Sequence, residues 1–169
     1  PTVIKAADGY FYVYATESTR NVPIMKSKDL VEWTYCNTAF TNKTRPRFEP
    51  KAGIWAPDIN YINGKYVLYY AMSVWGGEQT CGIGVATANS PQGPFTDHGK
   101  MFRSNEIGVQ NSIDPSLLQY EGRNYLVWGS FRGIYVIELT TDGLSIMPGA
   151  KKKRIAGTAF EAVSYTHLR

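Results

Sequence analysis

The stretch PDINYINGKYVLYYAM, residues 57–72, reads as an apolar strand, a two-residue turn and a second, tyrosine-rich strand. Asn63-Gly64 makes the turn: a two-residue hairpin loop needs positive φ, which asparagine tolerates and glycine adopts freely. The same order recurs in PTVIKAADGYFYVYAT, residues 1–16, and in PSLLQYEGRNYLVWGS, residues 115–130. The turn glycines are Gly9, Gly64 and Gly122, and Asp8-Gly9 carries the same hairpin signal as Asn63-Gly64. A third strand follows each hairpin: VPIMKS (22–27), GIGVATA (82–88) and GIYVIEL (133–139). Turns come next, at KDLVEW (28–33), NSPQGPF (89–95) and TTDGLSI (140–146).

The leading prolines stand 56 and 58 residues apart. A period of this length with four short strands per unit predicts an all-β chain folded as a β-propeller. Tyr10, Tyr12 and Tyr14 alternate with Phe11 and Val13, so both strand faces are apolar, as in a sheet covered on each side. A β-sandwich would show strands at closer, more even spacing. About three units are present, too few to close a ring. The expectation is an open, incomplete propeller over residues 1–162, with a fourth unit starting at AFEAV (159–163).

Composition narrows the classes. Of 169 residues, 43% are apolar and 14% aromatic, which excludes a disordered chain. The sequence holds no apolar run long enough for a membrane-spanning helix. The net charge is +4, with basic residues scattered except at Lys151-Lys152-Lys153-Arg154, which reads as a solvated turn rather than a nucleic-acid patch. Neither nucleic acid nor membrane is expected as a partner, and a monomer is. Cys36 and Cys81 are too few for a disulfide framework and lack zinc-ligand spacing, so both read as buried free thiols.

In a propeller the first strand of each blade lines the axis. Asp58, just after Pro57, Asp114, just before Pro115, and Glu161 of the fourth unit therefore converge near one mouth. Converging carboxylates are costly unless paired, hydrated or at work. A pair flanking a bond, with a third tuning one of them, suits the cleavage of a glycosidic linkage.

Trp-Ala-Pro-Asp (55–58), GIGVATANSPQGPFTD (82–97), Ile-Asp-Pro-Ser (113–116) and Phe-Glu-Ala (160–162) follow one another in this order. Together they resemble glycoside hydrolase family 43, the five-bladed propeller arabinanases, α-L-arabinofuranosidases and β-xylosidases, from Pro1 to Ala162. GVQNSIDPSLL (108–118) followed by WGSFRGIYVIEL (128–139) is most similar to the arabinan-cleaving members.

The resemblance implies an inverting glycosidase. Asp114 matches the carboxylate that orients the general acid and raises its pKa, and Glu161 matches the general acid itself. The general base is implied at the residue immediately before Pro1, so these residues alone are expected to be inactive. Losing water activation removes about 10²- to 10⁴-fold. The implied substrate is an arabinan or arabinoxylan oligosaccharide, 1,5-α-L-arabinan foremost, in a secreted or periplasmic bacterial parent whose signal peptide is not in this sequence. A β-xylosidase, a related sucrose- or fructan-cleaving propeller, and a non-catalytic carbohydrate-binding propeller are the alternatives. A protein-interaction propeller would need no convergent acids. No cofactor is required, and a structural metal ion in the axial channel would take its ligands from elsewhere.

The expected substrate contacts are Trp55, Trp75, Asn111, Phe131 and Arg132, with Trp75 carried on the glycine-rich SVWGGEQTCG loop (73–82). Asp58 either touches sugar or holds neighbouring inner strands together. Trp33 and Trp128 are expected to pack between blades, and His98 to sit exposed in a turn. Residues 163–169, VSYTHLR, resemble a translated sequencing adapter, a truncation scar of metagenomic kind, so His167 is expected to carry no function.

Overall fold

The computed structural model describes residues 1–17 and 19–157. The first four strands are β1 (Thr2–Lys5), β2 (Phe11–Tyr14), β3 (Pro23–Ser27) and β4 (Thr34–Thr38). A second set comprises β5 (Gly53–Ile62), β6 (Lys65–Ser73), β7 (Gly82–Ala88) and β8 (Thr96–Arg103), followed by the one-turn helix α1 (Ser104–Ile107). The third is β9 (Ser116–Tyr120), β10 (Arg123–Ser130), β11 (Gly133–Leu139) and β12 (Lys153–Ala156). Each set is one antiparallel four-stranded sheet whose strands pair in chain order. This meander, repeated, is the blade of a β-propeller.

Two of the three hairpins close on two residues. Ile62 pairs with Lys65 around Asn63-Gly64, and Tyr120 with Arg123 around Glu121-Gly122, all four turn residues at positive φ. The first hairpin differs: Lys5 pairs with Phe11, leaving residues 6–10 as a longer loop in which Asp8 accepts the Tyr10 N–H and the Tyr12 hydroxyl. The inner strand of the second sheet also begins earlier than its proline suggests, at Gly53. The register shifts between Trp55 and Asp58, and Pro57 sits in that bulge, where the ladder asks no N–H of it.

Alternation along β6 explains the core. Leu68, Tyr70 and Met72 face the first sheet, packing with Tyr14, Ile24 and Phe40. Val67 and Tyr69 face the third, with Ile83, Leu126 and Trp128. Tyrosines also fasten sheet to sheet: the Tyr69 hydroxyl donates to the Gly143 carbonyl at 2.8 Å, and Tyr14 donates to the Pro91 carbonyl. Gly84 is demanded by packing, since a Cβ there would lie 2.3 Å from the Tyr70 hydroxyl.

Trp128 is fully buried, as its blade-packing role requires, whereas Trp33 is half-buried and bonds back to the Leu30 carbonyl. Cys81 is buried and free; Cys36 is free but only half-buried, correcting the expectation of two buried thiols. His98 is exposed, yet it lies on β8, against Thr87, and not in a turn. No helix among the described residues is long and apolar enough to cross a membrane. Glu161, the start of the fourth unit and the 163–169 tail lie outside the described residues.

Candidate functional site

A cleft of about 600 Å³ opens where the start of β5, the loop after β6, the segment leading into β9 and the β10–β11 turn meet. Trp55, Trp75, Glu78, Asn111, Asp114 and Phe131 line it. Five of the expected site residues are thus brought together from separate stretches of chain.

One wall is aromatic. Trp55 projects from β5 just ahead of the bulge, and Trp75 stands on the loop turned by the Gly77 N–H to the Val74 carbonyl. The two rings lie 5.3 Å apart at 50°, and Trp75 is 93% exposed. An indole held that far into solvent without burying area offers its face to a ligand. Phe131, 42% exposed in the β10–β11 turn, adds a second apolar surface, with the Arg132 guanidinium 5.0 Å above its ring.

The other wall carries the charges. Glu78 accepts from Gln110 Nε2 at 2.6 Å and Arg132 Nε at 3.0 Å, so its charge is matched. Arg132 reaches the site through Glu78 and the Phe131 ring and does not line the cleft. Asp114 is presented by residues 109–115, which a buried polar network pins from below. Ser112 N–H donates to Ser104 Oγ at 2.9 Å, Trp128 Nε1 to Ser112 Oγ at 3.1 Å, and Gly129 N–H to the Ile113 carbonyl at 2.9 Å.

Asn111 belongs to this support. Its amide donates to Ser130 Oγ at 2.8 Å, its Oδ1 lies 3.9 Å from the Cys81 sulfur, and its backbone N–H donates to the Glu78 carbonyl. The side chain expected to meet sugar is therefore directed inward. Burial pushes the Cys81 thiol up, against its hydrogen bonds, which keeps it neutral within this network.

Ala56, Asn111 and Asp114 all take left-handed φ, at 41°, 56° and 54°. Asparagine and aspartate tolerate this region, whereas at Ala56 it stores about 1–3 kcal/mol and persists because its surroundings hold it. Ala56 N–H, for instance, donates to Thr16 Oγ1 at 2.9 Å, which puts Thr16 in the lining as well. Sequence reasoning missed Thr16, Ala56 and Glu78. Only Glu78 gave a signal, by its place in the glycine-rich loop.

Asp58 lies below the cleft and does not line it. It is buried and accepts the Leu117 N–H at 2.8 Å, Asn60 Nδ2 at 2.7 Å and Thr2 Oγ1 at 3.4 Å. One carboxylate thus ties the inner strands β1, β5 and β9. Burial pushes its pKa up despite these three donors. Of its two expected roles, the geometry matches the strand-holding one.

Among the described residues no three His, Cys, Asp or Glu side chains group as metal ligands.

Indole faces and a carboxylate lining one cleft, at the mouth shared by propeller blades, suit a carbohydrate ligand, whose apolar ring faces stack on aromatic side chains. The model of glycosyl hydrolases family 43 matches residues 1–167, and the chain belongs to that family. It is 35% identical over 181 residues to the extracellular endo-α-(1→5)-L-arabinanase 1 of Bacillus subtilis, covering 99% of this chain and 55% of that protein. It is 31% identical over 131 residues to the arabinan endo-1,5-α-L-arabinosidase A of Aspergillus niger, covering 75% and 40%. The Cellvibrio cellulosa α-L-arabinanase solved with arabinohexaose superposes with a TM-score of 0.79 at 28% identity, over 92% of this chain and 52% of that one. The chain spans about half the length of the relatives it matches.

Proposed function

We propose that these residues form part of an inverting glycoside hydrolase cutting arabinofuranosyl linkages in plant cell-wall polysaccharide, 1,5-α-L-arabinan foremost, on a five-bladed propeller. The observation that carries this reading is Asp114, at φ 54°, lining the same cleft of about 600 Å³ as Trp55 and Trp75. The arabinanases among the relatives support the substrate, and the extracellular Bacillus relative supports a secreted or periplasmic parent.

Pentose rings stack on Trp75 and Phe131. Glu161 protonates the leaving oxygen, and the Asp114 charge keeps that proton in place near neutral pH by like-charge repulsion. A base on the opposite face, about 6.5–9.5 Å from the acid, activates water. The residue ahead of Pro1 is the proposed base. Thr2 Oγ1 already reaches the Asp58 carboxylate, so the start of β1 lies beside the other inner strands. The 169 residues by themselves then release no sugar. The enzyme acts as a monomer and needs no cofactor.

The test is hydrolysis by the full parent protein of linear 1,5-α-L-arabinan beside xylobiosides, with product anomers followed by proton NMR. Release of arabinose or arabino-oligosaccharides, first as the β-anomer, is expected. Xylose without arabinose would reassign the substrate, an α-anomer first would replace inversion with retention, and binding without release would make the propeller a non-catalytic module.

A further inference from the structure

A second cavity, of about 420 Å³, opens beside the cleft under the segment that joins β4 to β5. Arg20, Arg45, Arg47 and Lys51 line it against the single carboxylate of Glu49, over a floor that includes the buried Ala52 and Met72. Two of the charges are already committed. Arg45 grips both oxygens of Glu17 at 2.5 and 2.6 Å and donates to the Ala52 carbonyl, while Glu49 is held by Arg103 at 2.5 Å. Arg20, Arg47 and Lys51 make no ion pair among the described residues. Arg47 gives one N–H to the Asn42 carbonyl and is otherwise exposed.

Like charges gathered around one hollow repel one another, and a bound anion relieves that repulsion. The hollow is also stiff. Pro46 and Pro50 restrict its backbone, and the Arg45–Glu17 and Arg103–Glu49 pairs clamp the segment at two points. Lys51 sits at φ 66°, a conformation that a lysine keeps only where its surroundings impose it. A site fixed in advance loses little entropy on binding.

The hollow adjoins the cleft. Met72 lines one and Ser73 the other, and in the ladder they face Ile54 and Gly53, so the end of the β5–β6 pair is the shared wall. A polysaccharide lying in the cleft and extending past the end of the β5–β6 pair meets this cationic hollow. Neutral pentoses give three cations nothing to neutralise. A carboxylate does, and the planar guanidinium fork suits it.

We infer that the hollow binds the carboxylate of a uronic acid residue in the polysaccharide whose neutral part occupies the cleft. The inference rests on the proposed carbohydrate role of that cleft.

The experiment is calorimetric titration of the parent protein with trigalacturonate and with its fully methyl-esterified form at low salt. The acid is expected to bind and the ester to bind at least about tenfold more weakly. The exposed pair Arg47→Gln/Lys51→Gln is expected to cost about tenfold, and Arg20→Gln a smaller part of it. Raising the salt should weaken binding of the acid only. Equal binding of acid and ester, indifference to all three substitutions, or equally strong competition by inorganic phosphate overturns the inference. Hydrolysis of arabinan is measured separately, so failure of the cleft reading with uronate binding intact, or the reverse, tells the two apart.

Discussion

Leu117 donates its backbone N–H to the Asp58 carboxylate at 2.8 Å, joining the inner strand of the third sheet to that of the second. The same oxygen accepts Asn60 Nδ2, and the other faces Thr2 Oγ1 of the first sheet. Asp58→Ala therefore strands donors of three inner strands and should cost about 1–3 kcal/mol in urea unfolding. Asp58→Asn keeps the Leu117 and Asn60 bonds through its carbonyl and reverses the third, its amide donating to Thr2 Oγ1. The raised pKa of Asp58 means that its contribution is fullest at acid pH and declines as pH rises through the folded-state value. Asparagine should therefore match the wild type at low pH and equal or exceed its stability at pH 7. A parent Asp58→Asn that folds well but loses arabinan binding would restore Asp58 to the sugar contacts.

Glu17, between β2 and β3, and Arg45, between β4 and β5, form a buried ion pair, their side chains 9% and 8% exposed. Burial raises the Glu17 pKa, but the Arg45 fork and the N–H groups of Asn21 and Ile54 outweigh it and hold the carboxyl below its ordinary 4.5. A depressed pKa stabilises above the unfolded value and is lost as pH falls through the folded one. Stability should decline below pH 4.5, and Glu17→Gln should flatten that decline. Glu17→Ala leaves a buried guanidinium unpaired and should cost about 3–5 kcal/mol by denaturant titration. A loss under about 1 kcal/mol would show that water reaches Arg45.

Local chemistry made much of this fold legible. Asn63-Gly64 dictated a turn, and the alternation of Tyr12 and Tyr14 with Phe11 and Val13 dictated strand faces. Asp8-Gly9 misled because pairing of Lys5 with Phe11, a property of two strands, sets the loop length. The early start of β5 was hidden by Pro57, which reads as a strand opening but occupies a bulge. At the site, Trp75 was legible from the glycines beside it. The inward turn of Asn111 was not, because its partner Ser130 stands 19 residues on, at the far end of β10. The same holds for Glu17 and Arg45, 28 residues apart, whose meeting no local pattern announces.

Trp75 has one aromatic neighbour and almost no buried area, so removing it should leave the fold alone. Trp75→Ala is expected to keep stability within about 0.5 kcal/mol. Affinity of the parent for arabino-oligosaccharides should fall about tenfold, equivalent to about 1.4 kcal/mol. Calorimetry with arabinotriose and a urea titration decide it. Unchanged affinity would make this tryptophan an ornament of the loop rather than a sugar platform.

Asp114 gives the sharpest test because asparagine can replace it almost without structural cost. Asparagine tolerates left-handed backbone better than most residues, so φ 54° is not itself an obstacle. Asp114→Asn in the parent should leave stability within about 0.5 kcal/mol while lowering kcat on arabinan about 10²-fold or more. The pH profile carries the mechanism. The general acid must be protonated, and without a negative neighbour it gives up its proton at lower pH, so the basic limb of kcat/KM should move toward acid. An aryl arabinofuranoside, whose phenolate departs with little protonation, should show a much smaller defect than arabinan. An equal defect on both substrates with an unmoved basic limb would mean that Asp114 holds the substrate and does not tune the acid.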